Sequence, residues 1–517
     1  MNGSNQGKNI VLCSDGTGNS DTKNRGTNVF KLYEAVDIQG HKTAPGLTPQ
    51  IAFYDDGVGT ENFALAKALG AAFGLGFKRN VTDLYTELVH VYDPGDRLFL
   101  FGFSRGAYTI RALSGLIQYC GIIDRTRLNT QTGARDILAE MVEACWRTFE
   151  PVAFPHFITR DKDRKRLTNS PVVNRDISRV RVSLGCRADD IKIDFIGVWD
   201  TVGAVGLPAD NGLKRIVNWI CPRQFGELKP GPNVLCARHA LSIDDERRTF
   251  HPELWNEAGA AEGQIDQVWF SGVHSNIGGG YPKQGMSLVT LHWMMSEAEK
   301  HGLRFIATAR AFVEQQQDVH DRLNDSRAGV AVYYRWSPRN IQTLCETHEA
   351  MMPKIHVSVF ERIAHGTDGY APGNLPFNFA VVPAQLGSAK TSWPPHAACA
   401  EVSALVLDRC PSPSVGSILD TMTRTILSGQ LSHAAFLVLT LTTVTLLAWP
   451  PQWLLAGTRF VFRHHLSAEH GAMLLAAAMF AMGAGLISRW AGMVDKAMER
   501  KCLGLWHGLR EQIRHRF

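Results

Sequence analysis

The feature that most constrains the fold is a series of short apolar runs, each ending in a glycine-rich or acidic turn. Several runs are continuously apolar, which is typical of strands buried on both faces. Between some of these runs, apolar residues recur at helical spacing. Strands that alternate with helices predict an α/β fold with a mostly parallel sheet flanked by helices. The runs are 10–13, 51–54, 98–103, 191–199 and 268–273.

The chain changes character near residue 390. Residues 425–458 contain no Asp, Glu, Lys or Arg, and 431–449 would form a helix of about 28 Å, close to the hydrocarbon thickness of a bilayer. A second uncharged run, 471–488, has small residues that would let two helices approach closely. The sequence therefore predicts a C-terminal α-helical transmembrane hairpin. The alternative is a buried core hairpin of a soluble protein.

The charge of the chain is concentrated at its C-terminus. The 54 Lys and Arg against 49 Asp and Glu give +5, and 489–517 alone holds seven of the basic and three of the acidic residues. This small total argues against nucleic acid as a partner. In the tail, Leu503, Trp506, Leu509, Ile513 and Phe517 recur at helical spacing. Beside them stand arginines, a pattern typical of an amphipathic helix on an anionic membrane leaflet.

The basic tail also predicts an orientation. The loop between the two spans has only Arg459 and Arg463, so the positive-inside rule places the tail in the cytoplasm. Two spans then put the N-terminal domain on the same side. We expect a catalytic domain over 1–390 (core 8–310, extension to 390), a linker over 391–424, the hairpin over 425–490 and the tail over 491–517.

The motif with the clearest chemistry is Gly102-Phe103-Ser104-Arg105-Gly106. A strand-like run precedes it and a helix-like run follows, which is the strand–turn–helix setting of a nucleophile elbow. Such a turn holds the serine hydroxyl above the sheet. The alternative is a tight turn without catalysis.

A serine nucleophile needs a base and an orienting carboxylate. Asp200 and His274 each follow a later strand-like run, and the order Ser104, Asp200, His274 is that of α/β-hydrolases. Asp200 could instead be a turn or capping residue, and His274 a hydrogen-bonded turn histidine. The main competitor for the base is His356, which also lies in a strand-like run.

The oxyanion of a reacting ester requires backbone donors. One is expected from Arg105, and the second from Gly16 or Thr17 in the loop after the first strand. Asp15 could alternatively hold that loop together by accepting backbone N–H groups. We expect no metal and no cofactor. Ten cysteines without a C-x-x-C pair do not suggest a zinc module, and nucleotide-binding loops are absent.

Several of these segments together resemble the Tle1-like phospholipase effectors of type VI secretion, an α/β-hydrolase family. The resemblance covers about 8–310. It implies a serine esterase acting on phospholipids or related acyl esters, with Ser104, Asp200 and His274 as the catalytic triad. The matching segments are 9–11 and 15–19, Gly57-Val58-Gly59, 102–107, 198–203, 272–274 and 278–281.

The chain departs from this family at Asn276, where members usually carry Asp. If that Asp were the triad acid, the chain would be a catalytically silent, membrane-anchored scaffold that retains the fold. A third hypothesis is a metal-dependent phosphoesterase that uses Asp15, Asp55, Asp56 and Asp200. The leading hypothesis remains a serine hydrolase of the bacterial inner membrane, with two spans, a cytoplasmic catalytic domain and a lipid or acyl-ester substrate.

Overall fold

The computed structural model describes residues 7–16, 26–57, 71–127, 134–153, 171–186, 191–203, 229–350, 352–384, 396–412, 415–449 and 468–516. Its centre is an eight-stranded sheet in the order β2-β1-β3-β4-β5-β6-β7-β8, with parallel neighbours throughout. The strands are β1 (Asn9–Ser14), β2 (Gln50–Asp55), β3 (Arg97–Phe103), β4 (Ile193–Trp199), β5 (Ala237–Ser242), β6 (Ile265–Phe270), β7 (Lys354–His356) and β8 (Ala380–Val382).

Helices connect the strands and extend the chain beyond the sheet. They are α1 (Asn28–Ala35), α2 (Gly40–Thr43), α3 (Ala71–Val91), α4 (Arg105–Cys120), α5 (Ala134–Ala153), α6 (Pro171–Leu184), α7 (His274–Gly278), α8 (Gly285–Lys300), α9 (Ala307–Gln316), α10 (Ile341–Thr347), α11 (Val357–His365), α12 (His396–Leu407), α13 (Thr423–Ala448) and α14 (Ala468–Arg514). Short 3₁₀ turns lie at Arg125–Arg127, Arg248–Phe250, Gly329–Tyr333, Thr367–Gly369 and Ile418–Met422.

The sheet has a hydrophobic core on each face. Along β1, Ile10 and Leu12 pack into one core with α3, α4 and α5, whereas Val11 and Cys13 pack into the other with α1 and α8. Successive side chains of a strand point to opposite faces, so a strand covered on both sides is apolar at most of its positions. The predicted parallel sheet flanked by helices is confirmed.

A third core joins the C-terminal helix to the part of the chain that contains the sheet. Trp506, Leu509 and Ile513 of α14 are buried there against Phe360 and Ile363 of α11. The indole N–H of Trp506 donates to the carbonyl of Pro372 at 2.7 Å. The expectation that this apolar stripe lies on an anionic leaflet is therefore wrong. The stripe is covered by protein, because α14 runs without a break from the hairpin onto α11.

The segment predicted as a linker also contains folded structure. Helix α12 spans most of its first half, and its Val402 and Val406 are buried in the same third core. A composition rich in alanine and proline is compatible with a packed helix as well as with a linker, and only the contacts distinguish the two. Truncation before α12 would remove part of a shared core.

The two long C-terminal helices pack against each other. Trp490 Nε1 donates to Ser428 Oγ at 2.9 Å, and a Cβ on Gly483 would lie 2.8 Å from the side chain of Leu439. By length and composition, both helices could cross a membrane. Their most apolar stretches are 6% and 17% buried, which argues against the alternative of a buried core hairpin. The loop with Arg459 and Arg463 lies outside the described residues.

Candidate active site

The three predicted triad residues lie at the carboxyl ends of β3, β4 and β6. Ser104 follows β3 with φ +57° and ψ −119°, and Asp200 follows β4 with φ +38°. His274 begins α7, four residues after β6 ends. A positive φ is costly for a residue with a side chain and persists only where the surroundings impose it. Both strained residues are thus held by the packing of the sheet ends.

The two motif glycines explain how Ser104 is held. A Cβ on Gly102 would lie 2.6 Å from the carbonyl oxygen of Gly106, and a Cβ on Gly106 would overlap the backbone of Ser14. The turn is therefore clamped between β1 and the start of α4. Only glycine allows these close backbone approaches. The predicted strand–turn–helix geometry of the motif is present.

A hydrogen-bonded relay links the three side chains. Ser104 Oγ lies 2.8 Å from His274 Nε2, and His274 Nδ1 lies 2.6 Å from Asp200 Oδ2. An ionised carboxylate only accepts hydrogen bonds, so Nδ1 carries the ring proton. The unprotonated Nε2 then accepts from the serine hydroxyl. This arrangement can transfer a proton from Ser104 to His274.

Asp200 is fully buried but is surrounded by donors. Arg339, also fully buried, donates from Nη1 to Oδ1 at 2.7 Å and from Nη2 to Oδ2 at 2.9 Å. The N–H of Ser242 donates to Oδ1 at 3.0 Å. Burial alone would raise the pKa of Asp200, but the charges and hydrogen bonds of Arg339 and His274 hold it well below its usual value. Asp200 is therefore an anion at neutral pH.

His274 is enclosed by aromatic rings. Its imidazole lies 4.7 Å from the ring of Phe103 and 5.1 Å, edge to face, from that of Phe250. Burial lowers the pKa of His274, with Asp200 opposing this effect. Its backbone N–H donates to Asp245 at 3.2 Å. The ring is thus neutral at neutral pH and fixed in orientation, as a proton acceptor requires.

Neither Arg339 nor Phe250 could be identified as a site residue from the sequence. Arg339 lies 139 positions after Asp200, in a segment without a recognisable motif. Phe250 lies in a 3₁₀ turn after β5. Both act on residues far away along the chain, and no local pattern reports such contacts.

The structure supports one of the predicted oxyanion donors and not another. Arg105 is the first residue of α4, where helix N–H groups face the N-terminal end and carry partial positive charge. The N–H of Gly16 instead donates to the side chain of Asp15 at 2.6 Å. Gly16 as an oxyanion donor is therefore not supported, because that N–H is already engaged. Thr17 lies outside the described residues.

Asp15 has the alternative role suggested by its sequence position. Its carboxylate accepts from Gly16 N, from Tyr54 Oη at 2.7 Å and from Thr27 Oγ1. Burial raises the pKa of Asp15 to about 6, although these hydrogen bonds oppose the shift. The residue ties the loop after β1 to α1 and β2.

Three of the four aspartates proposed as metal ligands already have other hydrogen-bond partners, so they cannot share one metal ion. Asp15 is engaged as above, and Asp55 Oδ2 accepts from Ser14 Oγ and Asn80 Nδ2, both at 2.7 Å. Asp200 already holds the guanidinium of Arg339. A guanidinium bonded to both carboxylate oxygens takes the place that a metal ion would need.

His356 and Asn276 form their described hydrogen bonds with residues outside the relay. His356 Nδ1 lies 2.8 Å from Ser358 Oγ, and its ring stacks on Phe270. Asn276 Oδ1 accepts from the N–H of Val273 at 3.3 Å and of Asn324 at 3.2 Å, while its Nδ2 donates to the carbonyl of Arg322 at 3.3 Å. Neither side chain forms a described hydrogen bond to the His274 ring. Asn276 therefore braces α7 instead of supporting the imidazole.

Matches to known proteins include a curated sequence, a solved structure and a family model. An uncharacterized protein of Saccharomyces cerevisiae, YEL023C, is 27% identical over 260 residues, which are 48% of this chain and 32% of the yeast protein. The chain thus spans about a third of that relative. A crystal structure of an uncharacterized protein from Pseudomonas aeruginosa aligns with a TM-score of 0.34 at 14% identity, over 93% of this chain and 62% of the other.

The third match covers more than half of the chain. The family described as "T6SS, Phospholipase effector Tle1-like, catalytic domain" matches residues 8–297. This range runs from the start of β1 to the last turn of α8 and includes Ser104, Asp200 and His274. The chain belongs to the Tle1-like phospholipase effector family.

Proposed function

We propose that the protein is a serine hydrolase that cleaves acyl esters of membrane phospholipids or related lipids. The observation that carries the proposal is the unbroken relay from Ser104 Oγ through His274 to Asp200. Membership of a phospholipase family supports a lipid as the substrate.

In the proposed reaction, Ser104 Oγ attacks the ester carbonyl while His274 Nε2 takes the hydroxyl proton. The tetrahedral intermediate collapses, and the imidazolium gives its proton to the departing alcohol. A water molecule then attacks the acyl-serine with His274 again as the base, the fatty acid departs, and the imidazolium returns its proton to Ser104 Oγ. Asp200 orients the imidazole and stabilises its positive charge at each stage.

The negative charge of the intermediate needs a donor that is in place beforehand. The N–H of Arg105, at the N-terminal end of α4, is the proposed one, since it follows the nucleophile directly and benefits from the helix dipole. Loss of a single oxyanion donor typically costs about 10²–10³ in kcat. Of the residues proposed as the second donor, Gly16 already donates to Asp15, and Thr17 lies outside the described residues.

The surroundings of the site favour a substrate that resides in a bilayer. Phe250, which contacts His274, lies 5.4 Å from the ring of Tyr334. The preceding residue, Tyr333, lies 5.4 Å from Phe436 of α13. The short segment with Tyr333 and Tyr334 therefore connects the aromatic ring beside His274 to the apolar hairpin. We infer that the hairpin anchors the protein in the inner membrane and holds the site beside the lipids.

Fatty-acid release by the full-length protein in phospholipid vesicles tests this function. Ser104→Ala is expected to lower turnover by about 10⁴-fold or more, because the covalent route is lost. Ser114→Ala is the matched control, since Ser114 is another buried serine of the same strand–turn–helix unit, in α4. Equal turnover in the wild type and Ser104→Ala would contradict the proposal.

The same measurement separates the rival functions. A silent scaffold would release no fatty acid in any variant. A metal-dependent phosphoesterase would release a phosphorylated head group, lose its activity with a chelator and retain it in Ser104→Ala. The serine hydrolase proposed here releases a fatty acid with or without the chelator.

A further inference from the structure

A cluster of three metal-binding side chains lies beside α11. Glu361 and His365 are four positions apart on this helix, so they share one face of it. His320 approaches that face from the segment after α9. One donor atom from each residue lies within 4.8 Å of the others. Two histidines and one carboxylate are a donor set that suits zinc and related divalent ions.

The distances are close to those of a coordination shell. His320 Nε2 lies 3.5 Å from Glu361 Oε1. Two ligands about 2.1 Å from a tetrahedral zinc ion are roughly 3.4 Å apart. By contrast, a charge-assisted hydrogen bond would be about 2.7–2.9 Å long. The pair is thus spaced as two ligands are. The exposed side chain of His365, at the end of α11, can close the remaining gap.

The second nitrogen of His320 has a partner that fits this role. Nδ1 lies 2.6 Å from Thr367 Oγ1. Histidines that bind a metal usually donate their other N–H to an oxygen, which fixes the ring and leaves the first nitrogen as a ligand. With Nδ1 protonated, a nitrogen lone pair faces the carboxylate oxygen of Glu361. Two acceptors at this distance are stabilised by a cation between them.

Glu361 provides a second, independent indication. Its other oxygen, Oε2, is shielded from solvent and has no hydrogen-bond partner. A buried carboxylate oxygen without a partner costs free energy, which a bound cation would recover. The neighbouring Arg362 does not neutralise Glu361 through a described ion pair, since its guanidinium pairs with Asp368.

We propose that His320, Glu361 and His365 form a site for a divalent cation of the zinc type. The ion would fasten the segment around His320 to α11. That segment already forms two hydrogen bonds with Asn276. The carbonyl of Arg322 accepts from the Asn276 side chain, and the N–H of Asn324 donates to it. Asn276 belongs to α7, which His274 begins. The ion would therefore stiffen the support of His274 without touching the reacting atoms.

The test measures zinc binding directly and does not depend on ester hydrolysis. Full-length protein in detergent is stripped with a chelator, dialysed and titrated with Zn²⁺ against a chromophoric competitor. One tight equivalent is expected for the wild type. Glu361→Gln and His365→Gln should each weaken it by at least tenfold, and Thr367→Val by about tenfold through loss of the supporting contact. His507→Gln, at an exposed histidine of α14, is the matched control and should bind as the wild type does.

Thermal unfolding provides the check on folding. The metal-free variants should unfold at nearly the same temperature as the metal-free wild type, and zinc should raise the midpoint less in the ligand variants than in the wild type and His507→Gln. The proposal is overturned if the wild type binds no zinc equivalent. It is equally overturned if the Glu361→Gln, His365→Gln double variant binds zinc as tightly as the wild type.

Discussion

Two buried aspartates flank the proposed nucleophile and have opposite electrostatic character. Ser104 follows β3, which lies between β1 and β4 in the sheet, and Asp15 and Asp200 directly follow those two neighbouring strands. Asp200 is paired with the buried guanidinium of Arg339, and its pKa is held low. Asp15 accepts from two hydroxyls and one N–H, and burial raises its pKa to about 6.

The comparison shows that position at a strand end does not decide what a carboxylate can do. A charged partner decides it, because that partner sets the pKa of the carboxylate. Asp200 remains an anion and can stabilise an imidazolium. Asp15 lies near its titration range and fastens a loop. The same Asp→Asn substitution should therefore have very different effects on the two sides of Ser104.

The largest effect is expected from Asp200→Asn. The amide cannot reproduce both the charge and the acceptor pattern that fix Nδ1–H on His274, so the wrong tautomer becomes populated. Ester turnover should fall by about 10³–10⁴-fold, as for other triads with this change. Turnover of the full-length variant in vesicles measures this. A loss below tenfold in a folded variant would show that Asp200 does not support the base.

Removing the positive charge of Arg339 should act mainly on the stability of the fold. Arg339→Met leaves the carboxylate of Asp200 buried without its counterion, which typically costs about 3–5 kcal/mol. Thermal unfolding in detergent should show a strongly lowered midpoint. Asp200→Asn combined with Arg339→Met should recover part of this loss, since neither charge is then unpaired. A midpoint equal to that of the wild type for Arg339→Met would contradict the assigned role of the pair.

Asn276→Asp addresses the departure from the family pattern. The carboxylate cannot donate to the carbonyl of Arg322, and it would be buried, so we expect a loss of about 1–3 kcal/mol in the free energy of unfolding. Turnover per folded molecule should change little, because the Asn276 side chain forms no described hydrogen bond to the His274 ring. A marked increase in turnover would instead assign the supporting acid to position 276.

The smallest effect on turnover is expected from Asp15→Asn, below tenfold. Its effect on stability should depend on pH. The folded pKa of about 6 exceeds the ordinary 3.8, so stability linked to protonated Asp15 is complete below about pH 3.8 and is lost as the pH rises through 6. The amide side chain of the variant does not titrate in this pH range. Relative to the wild type, it should gain up to about 3 kcal/mol between pH 4 and pH 7. A difference that does not vary with pH would contradict this.

The sequence pattern locates the strands that are apolar on both faces. It indicates β1 to β4 and β6, but not β5. That strand carries Arg238 and His239, and the structure accommodates Arg238 through an ion pair with Glu297 of α8 at 2.7 Å. A charged residue in a buried strand is compatible with the fold only when a distant partner is present, and a local pattern contains no information about that partner.

The site and the tail show the same limit. Ser104, Asp200 and His274 could be proposed from their places after strands, whereas Arg339 could not, because its role exists only through contact with Asp200. The stripe that contains Trp506 and Leu509 has a spacing that suits a membrane surface or a protein surface equally. The contact with α11 decides between them, and it depends on the path of α14 as a whole.

The most direct test of the central claim is labelling of the full-length protein with a fluorophosphonate probe, followed by mass spectrometry of its peptides. We expect a single adduct on Ser104 in the wild type and in Asp15→Asn. Labelling should be much slower in Asp200→Asn and absent in Ser104→Ala. An active protein with no adduct on Ser104, or one labelled equally in Ser104→Ala, would contradict the account.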